Sequence, residues 1–166
     1  MITFIPGYFG WLGNQMFQYA ATFAASKKVN TECGFPENDP NLFDIFNLSA
    51  QKQQVRTHYM YQEPHFHYSE IPDYITELTL HGYFQSEKYF FDYKDEIRKE
   101  FSLKNPKFSE GLEEEHIALH VRRGDYLNLQ DVHPVCSLDY YEKALEQLPD
   151  LPVYVFSDDI DWCKEN

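Results

Sequence analysis

Apolar residues in the first part of the chain follow two patterns: short runs typical of buried strands, and stripes with helical spacing. A run at residues 2–6 predicts a strand, and apolar residues that repeat every three or four positions over 16–28 predict a helix. The same order returns with a strand predicted in the stretch 78–85, ending at Gly82, and a helix at 87–98, for which Ser86 is a candidate N-cap. We therefore expect strand–loop–helix units, from which parallel α/β sheets are built.

A second series of patterns lies near the end of the chain. Strands predicted at 117–121 and 152–156 flank a helix at 138–148, which Ser137 would cap, and another helix begins near Asp159. This β-α-β-α order predicts a parallel sheet. The expected fold class is α/β, with Rossmann-type parallel sheets.

A break after Asn105-Pro106, followed by the acidic segment 109–115, is interpreted as a linker. It divides the chain into expected domains at 1–110 and 114–166. The second domain offers two strands and a helix and a half, whereas a parallel sheet needs both faces covered. We therefore expect the second domain to be truncated or to be completed by a partner.

The stretch 31–73 shows weak periodicity, and it predicts little beyond a proline-rich turn at 36–40 and a short apolar cluster at 42–48. His58, His65 and His67 lie in or near this part of the chain. No acid or thiol stands at a metal-ligand spacing from them, so they receive no metal assignment.

The charge of the chain limits the classes of partner it can bind, and its cysteines indicate the compartment. The chain has 166 residues, with 14 Lys and Arg against 27 Asp and Glu, giving a net charge of −13. Such acidity disfavours nucleic acid and anionic membranes as partners, although a local cationic cluster can still bind a small anion. Cys33, Cys136 and Cys163 show no paired spacing, and the start does not resemble a signal peptide. We expect reduced core thiols in a cytosolic protein.

The segment HVRRGD at 120–125, at the end of a predicted buried strand, carries the clearest candidate chemistry. A guanidinium has five donors and a permanent charge, so two adjacent ones need anionic partners. One hypothesis is internal ion pairing of Arg122 and Arg123 with Asp125 and other carboxylates. The other is a phosphate-binding site at the carboxyl end of a strand, where open α/β sheets bind ligands.

Two further segments each allow more than one interpretation. The glycines at 7, 10 and 13 form either a tight turn and helix cap, or a close approach to a phosphate or sugar, with Asn14 and Gln15 presenting amides. Ser157-Asp158-Asp159 precedes the last predicted helix. Ser157 or Asp158 could cap that helix, or a carboxylate could bind ribose hydroxyls or a guanine edge. Asp159 and Asp161 also form a DxD pair of the kind that holds Mg²⁺ or Mn²⁺.

Four blocks together resemble glycosyltransferase family 11, the α-1,2-fucosyltransferases. They are GWLGNQMFQYA at 10–20, HGYFQSEKYF at 81–90, HVRRGDY at 120–126 and VFSDDIDWCKE at 155–165. The resemblance implies a GT-B architecture, with an amino-terminal acceptor-side domain and a carboxyl-terminal GDP-fucose domain. It also implies metal-independent, inverting transfer of L-fucose from GDP-fucose to the 2-hydroxyl of a galactose-containing glycan, with no cofactor.

The resemblance assigns roles to individual residues. Arg122 would bind the diphosphate beside His120, while Arg123 and Asp125 would fix its geometry. Independently of the resemblance, Asp125 is by position the nearest candidate for a general base. Asp158 or Asp159 would contact the nucleoside. Gly10, Gly13 and Asn14 would lie near the sugar or diphosphate.

The sequence departs from the family pattern in two places. Trp11 occupies the second position of a usual glycine pair, and a later Ser-Phe-Ser-Trp-Trp-Gly block is missing, in keeping with the truncation expected above. The alternative function is therefore a catalytically dead binding or interaction domain that keeps a sugar-nucleotide fold. The expected location is cytoplasmic, and a lipid-linked acceptor would add peripheral membrane association.

Overall fold

The computed structural model describes residues 1–5, 10–37, 42–53, 59–105 and 115–166. The backbone forms two compact units, Met1–Pro106 and Lys107–Asn166. Each contains a sheet of parallel strands together with helices, so the expected α/β class is confirmed. The GT-B arrangement and the roles expected of the two domains stay predictions. Gly7, His58 and most of the expected linker lie outside the described residues.

The first unit alternates strands and helices along most of its length. Its elements are β1 (Ile2–Phe4), α1 (Leu12–Lys28), β2 (Cys33–Pro36), α2 (Leu42–Ile45), β3 (Gln51–Gln53), β4 (Met60–Gln62), β5 (Leu78–His81) and α3 (Lys94–Glu100). The five strands form one sheet in the order β3-β2-β1-β5-β4, with every neighbouring pair parallel. The carboxyl ends of all five strands therefore lie along one edge of this sheet.

Three predictions in the first unit need correction. Helix α1 begins at Leu12 rather than at residue 16, because Gly13 and Asn14 adopt helical geometry in its first turn. The helix predicted after Ser86 begins as two short 3₁₀ turns, Glu87–Tyr89 and Phe91–Tyr93, before α3. The stretch 31–73, for which little was predicted, contains β2, α2, β3 and β4.

The core of the first unit lies between the sheet and its helices and is rich in aromatic rings. Phe4, Tyr19 and Phe35 are fully buried, and the rings of Tyr19 and Phe35 stack with their centroids 4.8 Å apart. The Tyr19 hydroxyl donates to the buried Glu100 carboxylate, which also accepts from the backbone N–H and hydroxyl of Ser49. Because these donors satisfy the carboxylate, α3 can bring an acid into the core next to α1.

The second unit contains β6 (Ile117–Val121), α4 (Leu138–Leu145), β7 (Val153–Ser157) and α5 (Ile160–Glu165). Strands β6 and β7 pair in parallel, with Val121 opposite Ser157. Ser137 caps α4 as predicted, since its hydroxyl accepts from the Tyr140 N–H. Tyr141 on α4 and Val121 on β6 are both buried, and they supply much of this small core.

The three cysteines differ in their exposure. Cys33, Cys136 and Cys163 are all free thiols, but Cys136 is exposed, so the prediction of three core thiols is wrong for that residue. Burial raises the pKa of Cys33 to about 12. Within the described ranges, no helix has the length and apolar content needed to cross a membrane.

Candidate functional site

The HVRRGD segment and the Ser-Asp-Asp segment meet at the carboxyl ends of β6 and β7. The register pairs Val121 with Ser157, so the next residues, Arg122 and Asp158, leave the two strands side by side. This edge is where parallel α/β sheets bind their ligands. Residues 36 positions apart thus form one cluster, which we call the arginine–aspartate cluster: Arg122, Arg123, Asp125, Asp158 and Asp159.

Arg122 lies between two carboxylates of this cluster. Its Nη1 is 2.6 Å from Oδ2 of Asp158, and its Nη2 is 2.6 Å from Oδ1 of Asp125. The centre of the guanidinium is 5.1 Å from the centroid of the Tyr126 ring. The Arg122 side chain keeps 33% of its surface exposed, and a guanidinium has five N–H donors. Two aspartates therefore orient the group, while part of it remains accessible to solvent.

Arg123 makes different contacts. Its Nε lies 3.0 Å from Oδ2 of Asp159, and its guanidinium carbon lies 4.0 Å from the centroid of the Trp162 ring on α5. Only 17% of its side chain is exposed, half the value for Arg122. The Arg123 side chain therefore packs against α5 through an ion pair and a cation–π contact.

The two aspartates after β7 have separate structural roles. Asp158 accepts from the Arg123 backbone N–H at 2.9 Å through Oδ1 and pairs with Arg122 through Oδ2. Asp159 is the N-cap of α5, since its Oδ1 accepts from the Trp162 N–H at 3.3 Å. The prediction that Ser157 or Asp158 caps this helix is therefore wrong. The hydroxyl of Ser157 instead accepts from the backbone N–H of Asp159.

The surroundings of Asp158 favour its charged form. The Arg123 backbone N–H is the largest influence that lowers the pKa of Asp158 below its usual value, and the nearby Arg122 cation lowers it further. Partial burial acts in the opposite direction, and its effect is smaller. Asp158 thus stays ionised, as a partner for Arg122, to a lower pH than an ordinary aspartate does.

Gly124 permits the close approach of the two loops. A Cβ at this position would lie 2.4 Å from Oδ2 and 3.0 Å from Cγ of Asp158. Those atoms belong to a side chain that two hydrogen-bonded partners already fix. Sequence reasoning assigned no role to Gly124, or to Tyr126 and Trp162, whose rings contact the arginines. The only signal in the sequence was their presence inside or beside the two recognised blocks.

The cluster contains more carboxylates than guanidiniums. Two arginines face three carboxylates: Asp125, Asp158 and Asp159. The internal ion-pair hypothesis is therefore confirmed for both arginines. An anionic ligand would have to share Arg122 with Asp125, whose side chain is the most exposed of the three at 46%.

The remaining candidates divide between the two units. His120 is exposed on β6, opposite Phe156 on β7. Gly10, Gly13 and Asn14 lie in the first unit, between β1 and the first turn of α1. Gly10 has φ +71°, a conformation that favours glycine.

The side-chain amides of Asn14 and Gln15 each make a hydrogen bond within the first unit. The Asn14 side chain accepts a hydrogen bond from the Gln85 side chain, and the Gln15 amide donates to the Gly10 carbonyl at 3.3 Å. The positive φ of Gly10 fits the turn of the turn-and-cap interpretation, but the N-cap of α1 is Trp11, which makes no side-chain capping hydrogen bond. The approach of this segment to a sugar or phosphate stays a prediction.

The DxD hypothesis concerned Asp159 and Asp161. Asp159 is engaged by Arg123 and by the N-terminus of α5. Asp161 is almost fully exposed, and its carboxylate lies 3.8 Å from the ammonium of Lys164. Within the described residues, no group of three His, Cys, Asp or Glu side chains is placed to hold a metal ion.

Comparison with known sequences identifies the family. The profile described as Glycosyl transferase family 11 matches residues 7–166. The chain belongs to glycosyl transferase family 11. This match contains all four blocks on which the resemblance was based, and it covers the described residues of both units from Gly10 onward. No solved structure is similar enough to be matched to the chain.

Individual relatives share between 26% and 30% of their aligned residues with this chain. The alpha-1,2-colitosyltransferase of Escherichia coli is 26% identical, over 94% of this chain and 69% of that protein. The O-antigen biosynthesis glycosyltransferase WbnK of Escherichia coli is 26% identical, over 93% of this chain and 72% of that protein. The mouse galactoside alpha-(1,2)-fucosyltransferase 2 is 30% identical, over 95% of this chain. The chain spans only about half of that mouse protein, 53%.

Proposed function

We propose that this family 11 chain transfers L-fucose from GDP-fucose to the 2-hydroxyl of a galactose-type acceptor, with inversion and without a metal ion. The observation that carries the proposal is the Arg122 guanidinium, which two aspartates orient at the carboxyl ends of two parallel strands while a third of the Arg122 side chain stays exposed. The α-1,2 linkage in the names of the mouse and colitosyl relatives supports the choice of reaction.

The proposed chemistry breaks the bond between the fucose anomeric carbon and the β-phosphate oxygen. The bonding electrons leave with GDP, so negative charge grows on the diphosphate as the acceptor oxygen bonds to the anomeric carbon. Arg122 would donate hydrogen bonds to that charge. One charge-assisted hydrogen bond contributes about 1.5–3 kcal/mol, or about one to two powers of ten in rate if it forms fully in the transition state.

Asp125 and Asp158 would then act as positioning residues for the guanidinium. Each contacts a different terminal nitrogen of Arg122 at 2.6 Å, so together they fix the plane of the group. The diphosphate would compete with the more exposed Asp125 and leave the Asp158 contact in place. A released Asp125 carboxylate would be free to accept the proton of the acceptor hydroxyl. Asp125 therefore remains our candidate for the general base.

The nucleoside would be recognised by the carboxylates after β7, with His120 beside the diphosphate. Both oxygens of Asp158 and both oxygens of Asp159 already contact donors of the protein. A carboxylate oxygen has two lone pairs, so Asp159, each of whose oxygens accepts one of these hydrogen bonds, can still accept a second donor such as a ribose hydroxyl. In the first unit, Gly10, Gly13 and Asn14 would border the sugar or diphosphate.

A transfer assay with a matched acceptor tests the proposal. The chain is incubated with GDP-fucose and methyl β-galactoside, and the product is analysed by mass spectrometry and NMR. We expect an α-1,2-fucosylated product, no product from the 2-deoxygalactoside, and loss of product in Arg122→Ala. Arg98→Ala is the matched control, because Arg98 forms an exposed ion pair with Asp95, three residues away on α3.

The same assay separates the competing functions. The name of the colitosyltransferase relative makes colitosyl transfer the second candidate, so GDP-colitose is tested in parallel. A product from GDP-colitose alone would replace fucose as the transferred sugar. Donor binding without transfer from either nucleotide would favour the non-catalytic binding domain. The proposed location in the cytoplasm, with membrane association through a lipid-linked acceptor, is tested separately by cell fractionation.

A further inference from the structure

A cavity lies in the first unit, away from the arginine–aspartate cluster in sequence. It has a volume of about 280 Å³ and lies where the chain leaves β4 and β5, two neighbouring parallel strands. The carboxyl edge of a parallel sheet is the usual place for a ligand. Nothing in the function proposed above uses this cavity.

The walls of the cavity are fixed by one carboxylate. Oε2 of Glu63 accepts from the backbone N–H groups of Tyr83 and Phe84 at 2.8 and 2.9 Å, and Oε1 accepts from the Tyr89 hydroxyl at 3.2 Å. Gly82 has φ +154°, and a Cβ there would lie 2.4 Å from the Cβ of Glu63. The loops after β4 and β5 are therefore held together without a ligand, so the cavity is formed in advance.

Two aromatic rings border the cavity. Phe66 is 69% exposed, and its ring centroid lies 5.8 Å from that of Tyr83, with the two planes inclined by 39°. Exposure of most of a phenylalanine side chain is unfavourable unless another surface covers it. The negative face of an aromatic ring attracts C–H groups that carry partial positive charge.

One imidazole in the cavity wall has a defined orientation. Nδ1 of His65 lies 3.1 Å from the carbonyl oxygen of His67. Because a carbonyl can only accept, Nδ1 must carry the proton, and in the neutral ring Nε2 is then a hydrogen-bond acceptor. His65 can thus accept a hydrogen bond from a ligand hydroxyl.

The composition of the cavity disfavours an anionic ligand. Among the described residues that line it, none is Lys or Arg, and the one carboxylate, Glu63, is bonded to backbone N–H groups of the cavity wall. Phosphate and carboxylate ligands would find no cation here. Aromatic faces combined with a hydroxyl-accepting imidazole fit a neutral ring that has one C–H face and several hydroxyls.

We propose that this cavity binds the pyranose ring of a neutral sugar, with its C–H face against Phe66 and Tyr83 and one hydroxyl donating to Nε2 of His65. The assignment of this sugar as the acceptor rests on the function proposed above. The binding of a neutral sugar to the cavity does not rest on it.

The test is an NMR titration of the full chain with methyl β-galactoside, without nucleotide. We expect backbone signals of Gly82 and Tyr83 to shift, and the affinity to fall about tenfold in Phe66→Ala, because one aromatic contact contributes up to about 1.5 kcal/mol. His65→Ala should weaken binding, and His65→Gln should restore part of it through its amide oxygen. Galactitol, which has no rigid C–H face, should bind more weakly than the ring.

A matched variant controls for the loss of an exposed aromatic ring. Tyr74 is 82% exposed and precedes β5, at the opposite end of that strand from the cavity. Tyr74→Ala should bind the sugar as the wild type does. Equal affinity in Phe66→Ala and the wild type, or the absence of shifts at Gly82 and Tyr83, would overturn the proposal.

A second measurement distinguishes failure of this proposal from failure of the proposed function. The same samples are titrated with GDP-fucose and assayed for transfer. Transfer with an unchanged acceptor KM in Phe66→Ala would overturn the acceptor assignment alone. Sugar binding at the cavity without binding of GDP-fucose would overturn the proposed function and leave the cavity as a sugar site.

Discussion

The two arginines of the cluster should contribute unequally to stability. We expect Arg123→Lys to destabilise the second unit more than Arg122→Lys does. Arg123 is the less exposed of the two, and it pairs through Nε with Asp159 and stacks on Trp162. Lysine keeps the positive charge but has neither the Nε donor nor the planar face.

The expected size of the difference follows from these contacts. A cation–π contact contributes about 0.5–2 kcal/mol depending on its exposure, and the hydrogen bond from Nε adds to this. Lysine would recover part of the attraction to Asp159, so we expect Arg123→Lys to lose roughly 1–2 kcal/mol of unfolding free energy. Arg122 is about twice as exposed as Arg123, at 33% against 17%, and an ion pair of a partly exposed side chain contributes about 0–1 kcal/mol. Arg122→Lys should therefore cost about 0.5 kcal/mol.

Tryptophan fluorescence during urea unfolding measures this difference. The chain has two tryptophans, Trp11 in the first unit and Trp162 in the second, so a Trp11→Phe background leaves a single reporter of the second unit. With a slope of about 1–2 kcal/mol per molar urea, Arg123→Lys should lower the midpoint by roughly 1 M. Arg98→Lys controls for loss of an exposed arginine pair. Equal midpoints for Arg122→Lys and Arg123→Lys would refute the reasoning.

Three further predictions concern the same cluster. EDTA should leave GDP-fucose binding and transfer unchanged, since Arg122 would supply the positive charge; strict dependence on added Mg²⁺ or Mn²⁺ would contradict this. Gly124→Ala should lower both the urea midpoint and GDP-fucose affinity, because its Cβ would collide with Asp158, whereas an unchanged midpoint and affinity would show that the loops tolerate a methyl group. The pKa of Asp158 in the folded chain lies below its usual value of 3.8. The ionised Asp158 should therefore stabilise the fold fully above about pH 3.8, and this stabilisation should be lost as the pH falls through the lowered pKa. Asp158→Asn should therefore be less stable than the wild type at neutral pH and lose less stability on acidification, as followed by unfolding at a series of pH values.

The elements predicted most accurately are those for which several local features of the sequence agree. Helix α4 begins after its predicted N-cap serine and buries Tyr141 of its apolar stripe, although it ends at Leu145 rather than at the predicted residue 148. Strands β6 and β7 are short runs of apolar residues that are common in sheets, and both lie within a residue of their predicted bounds.

Prediction failed for short strands whose conformation depends on hydrogen bonding to a neighbouring strand. Strands β3 and β4 are three residues each, and β3 consists of Gln51, Lys52 and Gln53. Residues of this kind have little intrinsic preference for strands, so their conformation depends on neighbours distant in the chain. Parallel pairing of β3 with β2 and of β4 with β5 supplies those neighbours.

The same limit applies to the candidate site. The pairing of Arg122 with Asp125, three residues apart, was among the hypotheses drawn from the sequence. The contact with Asp158 was not assigned, because it requires the register of β6 against β7. The capping role of Asp159 was also missed, since three neighbouring polar residues could each begin that helix. Local patterns indicated which residues matter, and the register determined how they are connected.

Isothermal titration of GDP-fucose into the wild-type chain, Arg122→Lys and Arg98→Lys tests the central claim most directly. Arg122→Lys should bind GDP-fucose about ten- to a hundredfold more weakly, because lysine cannot form the two-point contact that a guanidinium makes with a diphosphate. Arg98→Lys should bind as the wild type does. Equal affinity in the wild type and Arg122→Lys would contradict the account and leave Arg122 with only its ion pairs to Asp125 and Asp158.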